Sequence, residues 1–201
     1  MKVAILVSGW SAPGFEWKAS PIVTELTLCG YDVVRFKQCN YGWGDIAHNG
    51  KKLARLVESL KYTNNYSEIV IIGHSLGGLI ARYADMHITM KWPVPSVPSI
   101  DAIVTLGTPH YGVRYGRAAF FSKSAKQMDC DSRFLKMLNA NHRQHSSRYY
   151  CVGAKYDQLV PHSSAIWDRA EHNETFKTEH LGLIFDKKIA KSITEFFYNE
   201  K

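Results

Sequence analysis

The chain has 201 residues, of which 45% are hydrophobic and 21% are charged, a composition typical of a soluble globular protein with one domain over residues 1–201. The formal charge of +7 comes from lysines and arginines scattered along the chain, so we expect a solvated basic surface and no nucleic-acid partner. The four cysteines lack Cys-x-x-Cys spacing, which predicts reduced thiols and argues against a zinc site.

The first apolar run, Val3–Val7, is predicted to be the first core strand. It is too short for the hydrophobic region of a signal peptide and far too short to span a membrane. The sequence shows no signal peptide and no transmembrane segment, which favours a cytoplasmic location.

Predicted strands and helices alternate from this point to the end of the chain. The alternation indicates a three-layer α/β fold, with a mostly parallel sheet of about six strands, helices on both faces and no separate cap domain. The predicted strands are 3–7, 31–37, 69–72, 101–106, 148–152 and 175–178. The predicted helices are 21–29, one capped by Asp45 that continues through Leu60, one from Leu76, 131–138, and one after Asp186.

Two stretches break this pattern. Residues 92–98 contain three prolines and are predicted to be an irregular connection. Residues 110–147 are predicted to be an irregular segment that covers a pocket or acts as a lid, with 118–121 as the only hint of an amphipathic lid helix.

The third predicted strand runs into Gly73-His74-Ser75-Leu76-Gly77 and then directly into a helix. Gly-x-Ser-x-Gly between a strand and a helix is the pattern of a nucleophile elbow. The tight turn strains the serine backbone and brings the chain so close to itself that the flanking positions require glycine. The sequence therefore predicts Ser75 as a nucleophile above the sheet edge, at the N-terminus of a helix.

A serine nucleophile needs a histidine base, and that histidine needs an acid. On this fold the chain order is serine, acid, histidine, and both partners follow strands. Asp157 after the fifth strand and His180 after the sixth satisfy order and placement. The alternative acids are Asp129, Asp131 and Asp168, and the alternative histidines are His162 and His172.

An acyl-transfer site also needs donors for the oxyanion. The backbone N–H of Leu76, the residue after the nucleophile, is one candidate. The loop after the first strand supplies the other, and Gly9 allows a close backbone approach that makes the Trp10 N–H the best second donor.

Aromatic residues concentrate in the same loops. They either line an apolar acyl pocket or cover the edges of the core. We assign substrate contacts to Trp10, Trp17, Trp43 and Tyr111, and a bracing role at the pocket rim with a secondary substrate contact to His110.

The chain resembles the α/β-hydrolase superfamily, and within it the small bacterial lipases and lipase-like esterases. The resemblance rests on Val7-Ser8-Gly9-Trp10, Gly73-His74-Ser75-Leu76-Gly77-Gly78, Thr105-Leu106-Gly107-Thr108-Pro109-His110-Tyr111-Gly112, Asp157-Gln158-Leu159-Val160-Pro161 and His180-Leu181-Gly182-Leu183. It implies Ser75 as nucleophile, Asp157 as acid, His180 as base, and Trp10 and Leu76 as oxyanion donors. One departure is that the family usually has His-Gly where this chain has Ser8-Gly9.

These residues together predict a serine hydrolase that cleaves carboxylic esters through an acyl-enzyme, without a metal or an organic cofactor. The expected partner is an ester or lipid substrate, and the enzyme could reach it by peripheral contact with a lipid surface. The same triad would also serve a thioesterase, an amidase or an acyltransferase, and a binding protein with an inactive triad is the alternative outside enzymes. Sequence alone leaves lipase and esterase both open.

Overall fold

The computed structural model describes residues 1–91, 100–114, 122–141 and 147–198. Its strands are β1 (Lys2–Val7), β2 (Tyr31–Arg35), β3 (Glu68–His74), β4 (Ala102–Leu106), β5 (Arg148–Ala154) and β6 (His172–Phe176). Its α-helices are α1 (Pro21–Leu28), α2 (Ile46–Tyr62), α3 (Leu76–Lys91), α4 (Lys123–Gln127), α5 (Arg133–Ala140), α6 (His162–Ala165), α7 (Gly182–Phe185) and α8 (Lys187–Tyr198). Two short 3-10 helices, Glu16–Ala19 and Cys39–Gly42, follow β1 and β2.

The six strands form one sheet in the order β2-β1-β3-β4-β5-β6, and every neighbouring pair is parallel. The predicted α/β fold is confirmed, and the sheet is parallel throughout its described strands. Since parallel strands are joined by crossovers, the carboxyl ends of all six strands meet at one edge of the sheet. The loops that carry the predicted site residues leave from that edge.

The sheet is buried on both faces, as β1 illustrates. Successive side chains of a strand point to opposite faces. Val3 and Ile5 therefore pack with α2 and α3, while Ala4 and Leu6 pack with α1 and α8. All four side chains are fully buried. A strand with two buried faces has a continuous apolar sequence, which is why the sequence predicts β1 directly.

Short-range signals set the helix boundaries. α1 begins at Pro21 behind Ser20, whose hydroxyl accepts from a first-turn N–H at 3.2 Å. It ends before Gly30, which has a φ of 80°. Asp186 accepts a backbone N–H at 2.8 Å at the start of α8. These ends confirm the predicted boundaries of the two helices.

The sixth strand differs from its predicted position. The sequence places it at 175–178 with a residue or two on either side, but it pairs with β5 from His172 to Phe176. β6 is a partly exposed strand at the sheet edge, so backbone pairing with β5 sets its position and no apolar pattern marks it. The sequence also does not predict α4, α6 and α7, because helices of four or five residues are too short to show a hydrophobic period.

The segment predicted to be irregular, 110–147, is described at 110–114, 122–141 and 147. It contains α4, α5 and an isolated parallel bridge between Val113 and Asp129. The helix predicted at 131–138 is confirmed as α5, two residues further along. The proline-rich connection at 92–98 and the lid hint at 118–121 lie outside the described residues. Within the described ranges, no helix has both the length and the apolar character needed to cross a bilayer.

Asp45 caps α2, as the sequence predicts. Its Oδ1 accepts from the N–H groups of Ala47 at 2.8 Å and His48 at 3.2 Å. The same carboxylate pairs with Lys123 and accepts from Gln127 of α4. Burial opposes ionisation, but the hydrogen bonds outweigh it and lower the pKa of Asp45 below its ordinary value. Asp45 therefore fixes the start of α2 and joins it to α4.

We expect Asp45→Ala to lower the free energy of unfolding by about 1–2 kcal/mol, because the cap is lost. A carboxyl with a lowered folded-state pKa stabilises the fold above its unfolded pKa of about 3.9, and this contribution disappears as the pH falls through the folded pKa. The deficit should therefore be present at pH 7 and shrink in more acidic solution. Urea unfolding of wild type and variant at pH 7 and in the more acidic solution measures this loss of stability.

Asp131→Ala is the control, because the Asp131 carboxylate is exposed and lies outside a helix cap. Its effect should stay within about 0.5 kcal/mol. A loss in the control as large as in Asp45→Ala would contradict the capping role.

Candidate active site

Ser75 occupies a strained turn between β3 and α3. Its φ is 53°, in the left-handed region that non-glycine residues rarely adopt. Three hydrogen bonds hold the turn: the Ser75 N–H donates to Leu106 O at 2.8 Å, and the Ser75 carbonyl accepts from Gly78 N at 3.1 Å and Thr108 Oγ1 at 2.9 Å. The side chain is largely buried, with 8% of the residue exposed. The neighbouring β4 and its loop therefore stabilise the strained serine.

The glycines after Ser75 permit very close backbone contacts. A β-carbon at Gly77 would lie 2.2 Å from the carbonyl oxygen of Val7, at the end of β1. A β-carbon at Gly78 would lie 2.0 Å from Thr108 Oγ1 in the loop after β4. Both distances are far below van der Waals contact, so the elbow can cross β1 and meet the β4 loop only with glycine at these positions.

Asp157 and His180 contact each other, as the sequence predicts. His180 Nδ1 lies 2.6 Å from Asp157 Oδ2, and the exposed fractions of the two side chains are 8% and 1%. Asp157 Oδ1 also accepts the N–H groups of Leu159 and Val160, each at 2.9 Å. Burial would raise the pKa of Asp157, but the bonds from His180 and the two amides outweigh it and lower the pKa.

The ionised Asp157 carboxylate fixes the tautomer of His180. A carboxylate can only accept, so the proton of the shared hydrogen bond sits on His180 Nδ1. The neutral imidazole then carries a lone pair on Nε2, the atom that a general base uses.

The His180 loop is packed against the elbow. His74, the residue before Ser75, has its ring centroid 4.7 Å from that of His180, and its Nε2 donates to the His180 carbonyl at 3.1 Å. Burial, with a smaller contribution from His180, lowers the pKa of His74 to about 3. A β-carbon at Gly107 would lie 3.0 Å from His180 Nδ1. The structure therefore brings Ser75, Asp157 and His180 to the same edge of the sheet.

The alternative acids and histidines make other contacts. His162 Nε2 lies 2.7 Å from Thr175 Oγ1, and His172 is exposed next to Glu174. The Tyr111 hydroxyl donates to Asp168, which follows α6 in a turn. Asp129 and Asp131 flank Cys130, and the side chains of the three residues lie within 4.8 Å of one another on the surface.

The predicted oxyanion loop runs directly beside the elbow. A β-carbon at Gly9 would lie 3.2 Å from both Ser75 Cβ and His74 Nδ1. The next residue, Trp10, packs its ring 4.9 Å from that of Trp43 and donates from Nε1 to Ser122 Oγ at 3.2 Å. The loop after β1 and the segment after β2 therefore meet next to the serine.

The predicted substrate contacts divide into two groups. Trp43 and Tyr111 are 42% and 40% exposed on the surface around the site. Trp17 and His110 are fully buried, and their contact with substrate stays a prediction. The Trp17 indole donates to Ser8 Oγ at 3.0 Å from inside the α1 side of the core. The Trp17 ring packs in the core in this structure and does not line an open pocket.

His110 belongs to a buried polar network that the sequence analysis misses. Arg82 on α3 is fully buried, with Nη1 3.2 Å from His110 Nδ1 and Nη2 donating to Asn139 Oδ1 at 3.0 Å. Its guanidinium lies 4.0 Å from the Trp167 ring. Burial lowers the pKa of Arg82 to about 10, which leaves it charged at neutral pH. An arginine within the apolar run 79–84 is the sequence signal that points to such a buried cation.

Gln38 is a second residue near the site that sequence reasoning misses. Its side-chain amide donates to the carbonyl oxygen of Ser8. Only its position after the second strand, at the carboxyl edge of the sheet, could have drawn attention to it.

The chain matches the family model of lipase (class 2) over residues 37–192. No curated protein matches it. It is similar to the Bacillus licheniformis lipase BlEst2 in propeptide form, with a TM-score of 0.80 and 15% identity over 97% of this chain and 50% of that chain. The mature form of BlEst2 gives a TM-score of 0.76 and 14% identity, over 98% of this chain and 91% of that one. Aspergillus fumigatus lipase B gives a TM-score of 0.76 and 18% identity, over 94% of this chain and 50% of the other.

The chain thus spans about half the length of two of these three structures. At these identities the structural likeness shows the fold, while the match to the family model shows the family.

We expect Gly77→Ala to destabilise the fold by about 3 kcal/mol or more, because the new β-carbon would overlap the Val7 carbonyl and force β1 and α3 apart. Gly44→Ala is the matched control, since the nearest atoms to its β-carbon lie at 3.8 and 4.0 Å. Thermal and urea unfolding of both variants measure the difference. Equal stability of the two variants would show that the close crossing is not required.

Proposed function

Since the chain belongs to the class 2 lipase family of carboxylic ester hydrolases, we propose that it hydrolyses a carboxylic ester through Ser75, His180 and Asp157. The proposal includes a covalent acyl-enzyme on Ser75. The observation that carries it is the 2.6 Å contact between His180 Nδ1 and Asp157 Oδ2, on a loop packed against the residue before Ser75. This arrangement supplies a base, with its tautomer fixed, beside a strained serine.

In the acylation step, His180 Nε2 accepts the hydroxyl proton of Ser75 as the oxygen attacks the ester carbonyl. The carbonyl π electrons move to oxygen, and the backbone N–H groups of Trp10 and Leu76 donate to that oxyanion. The tetrahedral intermediate collapses, the bond to the alcohol oxygen breaks, and His180 returns the proton to the leaving alcohol. Asp157 remains ionised and stabilises the imidazolium.

In the deacylation step, His180 takes a proton from water, and the hydroxide oxygen attacks the acyl carbon. The same two amides hold the second oxyanion. Collapse releases the carboxylic acid and returns the proton to Ser75. Every proton and electron pair in this cycle is supplied by the residues, the ester and water.

Apolar surface near the site suits an acyl substrate. A cleft of about 450 Å³ borders Ser8 of the oxyanion loop, and its walls include Phe15, Phe36 and Tyr41. A second cleft of about 480 Å³ borders Asp157 and includes Tyr111. Both volumes are within the usual range for small-molecule sites, and the first cleft has the more apolar lining.

We expect Ser75→Ala to lower the hydrolysis of p-nitrophenyl butyrate by at least about 10³-fold, because the nucleophile is removed. Labelling by a fluorophosphonate should disappear in the same variant, as measured by intact mass. Ser59→Ala, at an exposed position on α2, should keep both activities. Full hydrolysis by Ser75→Ala would eliminate the covalent mechanism.

We expect Asp157→Asn to keep the fold and lose about 10²–10⁴-fold in kcat, because the amide no longer fixes the His180 tautomer or stabilises the imidazolium. The lowered pKa of Asp157 adds a stability test with a defined sign. Its ionised form stabilises the fold above the unfolded pKa of about 3.9, and that contribution is lost as the pH falls through the folded pKa. Wild type should therefore exceed the variant in stability at pH 7 by more than at pH 3.

Urea unfolding at the two pH values and steady-state kinetics at pH 7 measure these effects. A variant with wild-type kcat would remove Asp157 from the catalytic residues.

A further inference from the structure

The backbone of Ser8 is held by a side chain from a distant part of the sequence. Gln38 reaches it from the segment after β2 and donates from its side-chain amide to the Ser8 carbonyl oxygen. On the other side, Trp17 Nε1 donates to Ser8 Oγ at 3.0 Å. The carbonyl and the hydroxyl of Ser8, the residue before Gly9, are therefore both bound.

The orientation of the Gln38 amide follows from this contact. A backbone carbonyl can only accept, so the atom facing Ser8 is the NH2 group of the amide. The amide oxygen is then buried, and it has no hydrogen-bond partner among the described residues. A β-carbon at Gly42 would lie 2.7 Å from this oxygen. An unpaired buried oxygen is unfavourable, so the contact with Ser8 is maintained at a cost to stability.

The Ser8 carbonyl and the Gly9 N–H belong to one peptide group, so holding that carbonyl fixes the plane from which the Gly9–Trp10 group continues. Peptide groups are planar and trans, so an N–H points opposite to the carbonyl of its own group. Gly9 joins this peptide group to the next one, and because it has no side chain, its φ and ψ angles would otherwise be free to vary. Its own carbonyl accepts from Ala12 N at 3.4 Å and faces Gly42. The Trp10 N–H therefore points away from Gly42.

The segment that carries Gln38 is hydrogen-bonded to the loop after β1 and to α2. Asn40 and Tyr41 both have positive φ, of 51° and 48°. The Tyr41 carbonyl accepts from Ser11 N at 3.0 Å, and Cys39 N donates to Asn49 Oδ1 of α2 at 2.8 Å. The backbone that carries the Gln38 amide is thus held by hydrogen bonds on both sides.

We propose that Gln38 is a positioning residue for the oxyanion hole: its amide holds the Ser8 carbonyl and thereby aims the Trp10 N–H at the developing oxyanion. This inference rests on the proposed ester hydrolysis at Ser75. Gln38 does not touch the reacting atoms in this mechanism. It acts through the backbone of Ser8 and Gly9, and its loss should affect the transition state more than substrate binding.

The test compares Gln38→Glu and Gln38→Leu with wild type. Glutamate has the same shape but presents an oxygen to the Ser8 carbonyl, and leucine removes the donor without adding charge. Asn64→Asp, in the exposed loop before β3, is the control for an amide-to-carboxylate change away from the site. Rates are divided by the fraction of protein that a fluorophosphonate labels, so that misfolded enzyme does not count.

With p-nitrophenyl butyrate, we expect kcat to fall by about 10- to 100-fold in both Gln38 variants, while KM changes by less than about threefold. Two inhibitors separate positioning from general damage. An alkyl trifluoromethyl ketone forms a tetrahedral oxyanion on Ser75, and the matching alkyl methyl ketone binds mainly without that step. The Ki of the trifluoromethyl ketone should rise by the same factor as kcat falls, and that of the methyl ketone should stay within about twofold.

Unchanged kcat in both variants overturns the inference. Equal loss of affinity for both ketones also overturns it, because Gln38 would then be part of the ground-state pocket that it borders. Wild type that neither hydrolyses the ester nor binds the trifluoromethyl ketone defeats the proposed function and the inference together. If wild type hydrolyses the ester and binds the trifluoromethyl ketone, and the Gln38 variants have the same kcat and Ki, only the inference about Gln38 is wrong.

Discussion

The site depends on one steric constraint: the elbow crosses the end of β1 with almost no space between the two backbones. The contact point is Gly77, whose missing side chain would lie 2.2 Å from the Val7 carbonyl. Because β1 continues directly into the Ser8–Trp10 loop, this crossing places the proposed oxyanion loop next to the nucleophile. The close approach of Gly9 to Ser75 Cβ is a direct consequence. The proposed nucleophile and the proposed oxyanion donors are thus positioned by the same backbone contact.

His74 and His180, the two histidines next to the elbow, have different environments and different proposed roles. His74 is buried and its pKa is lowered to about 3, so it stays neutral and donates one hydrogen bond to the His180 carbonyl. His180 instead contacts the Asp157 carboxylate through Nδ1, and its Nε2 is the base of the proposed reaction. The neutral His74 ring therefore holds the loop that carries His180, whose ring changes its charge in the proposed reaction.

The sequence predicts the fold and the proposed triad because both follow from local patterns. Strands buried on both faces give continuous apolar runs, and Asp157 and His180 follow the fifth and sixth strands in the chain order that the fold requires. It misplaces β6, whose partly exposed residues carry no apolar pattern. It also does not predict the full burial of Trp17, because an aromatic residue that packs inside and one that lines a pocket look the same in a sequence.

The contacts of Gln38 and Arg82 could not be predicted for a further reason: their partners are far away in the sequence. Gln38 reaches Ser8 across 30 positions, and Arg82 meets His110 across 28. Gln38 follows β2 and binds the loop after the neighbouring β1. Arg82 lies on α3, which follows β3, and contacts the loop after the neighbouring β4.

These long-range contacts explain how a site made of loops can be rigid. Backbone crossing fixes where the loops lie, but a loop fixed only at its ends can still rotate its peptide groups. Arg82 restrains the loop after β4, which in turn holds the Ser75 carbonyl through Thr108. Gln38 restrains the loop after β1 in the same way. Catalysis by preorganised donors requires this second level of restraint, because an amide that rotates away from the oxyanion contributes nothing to the barrier.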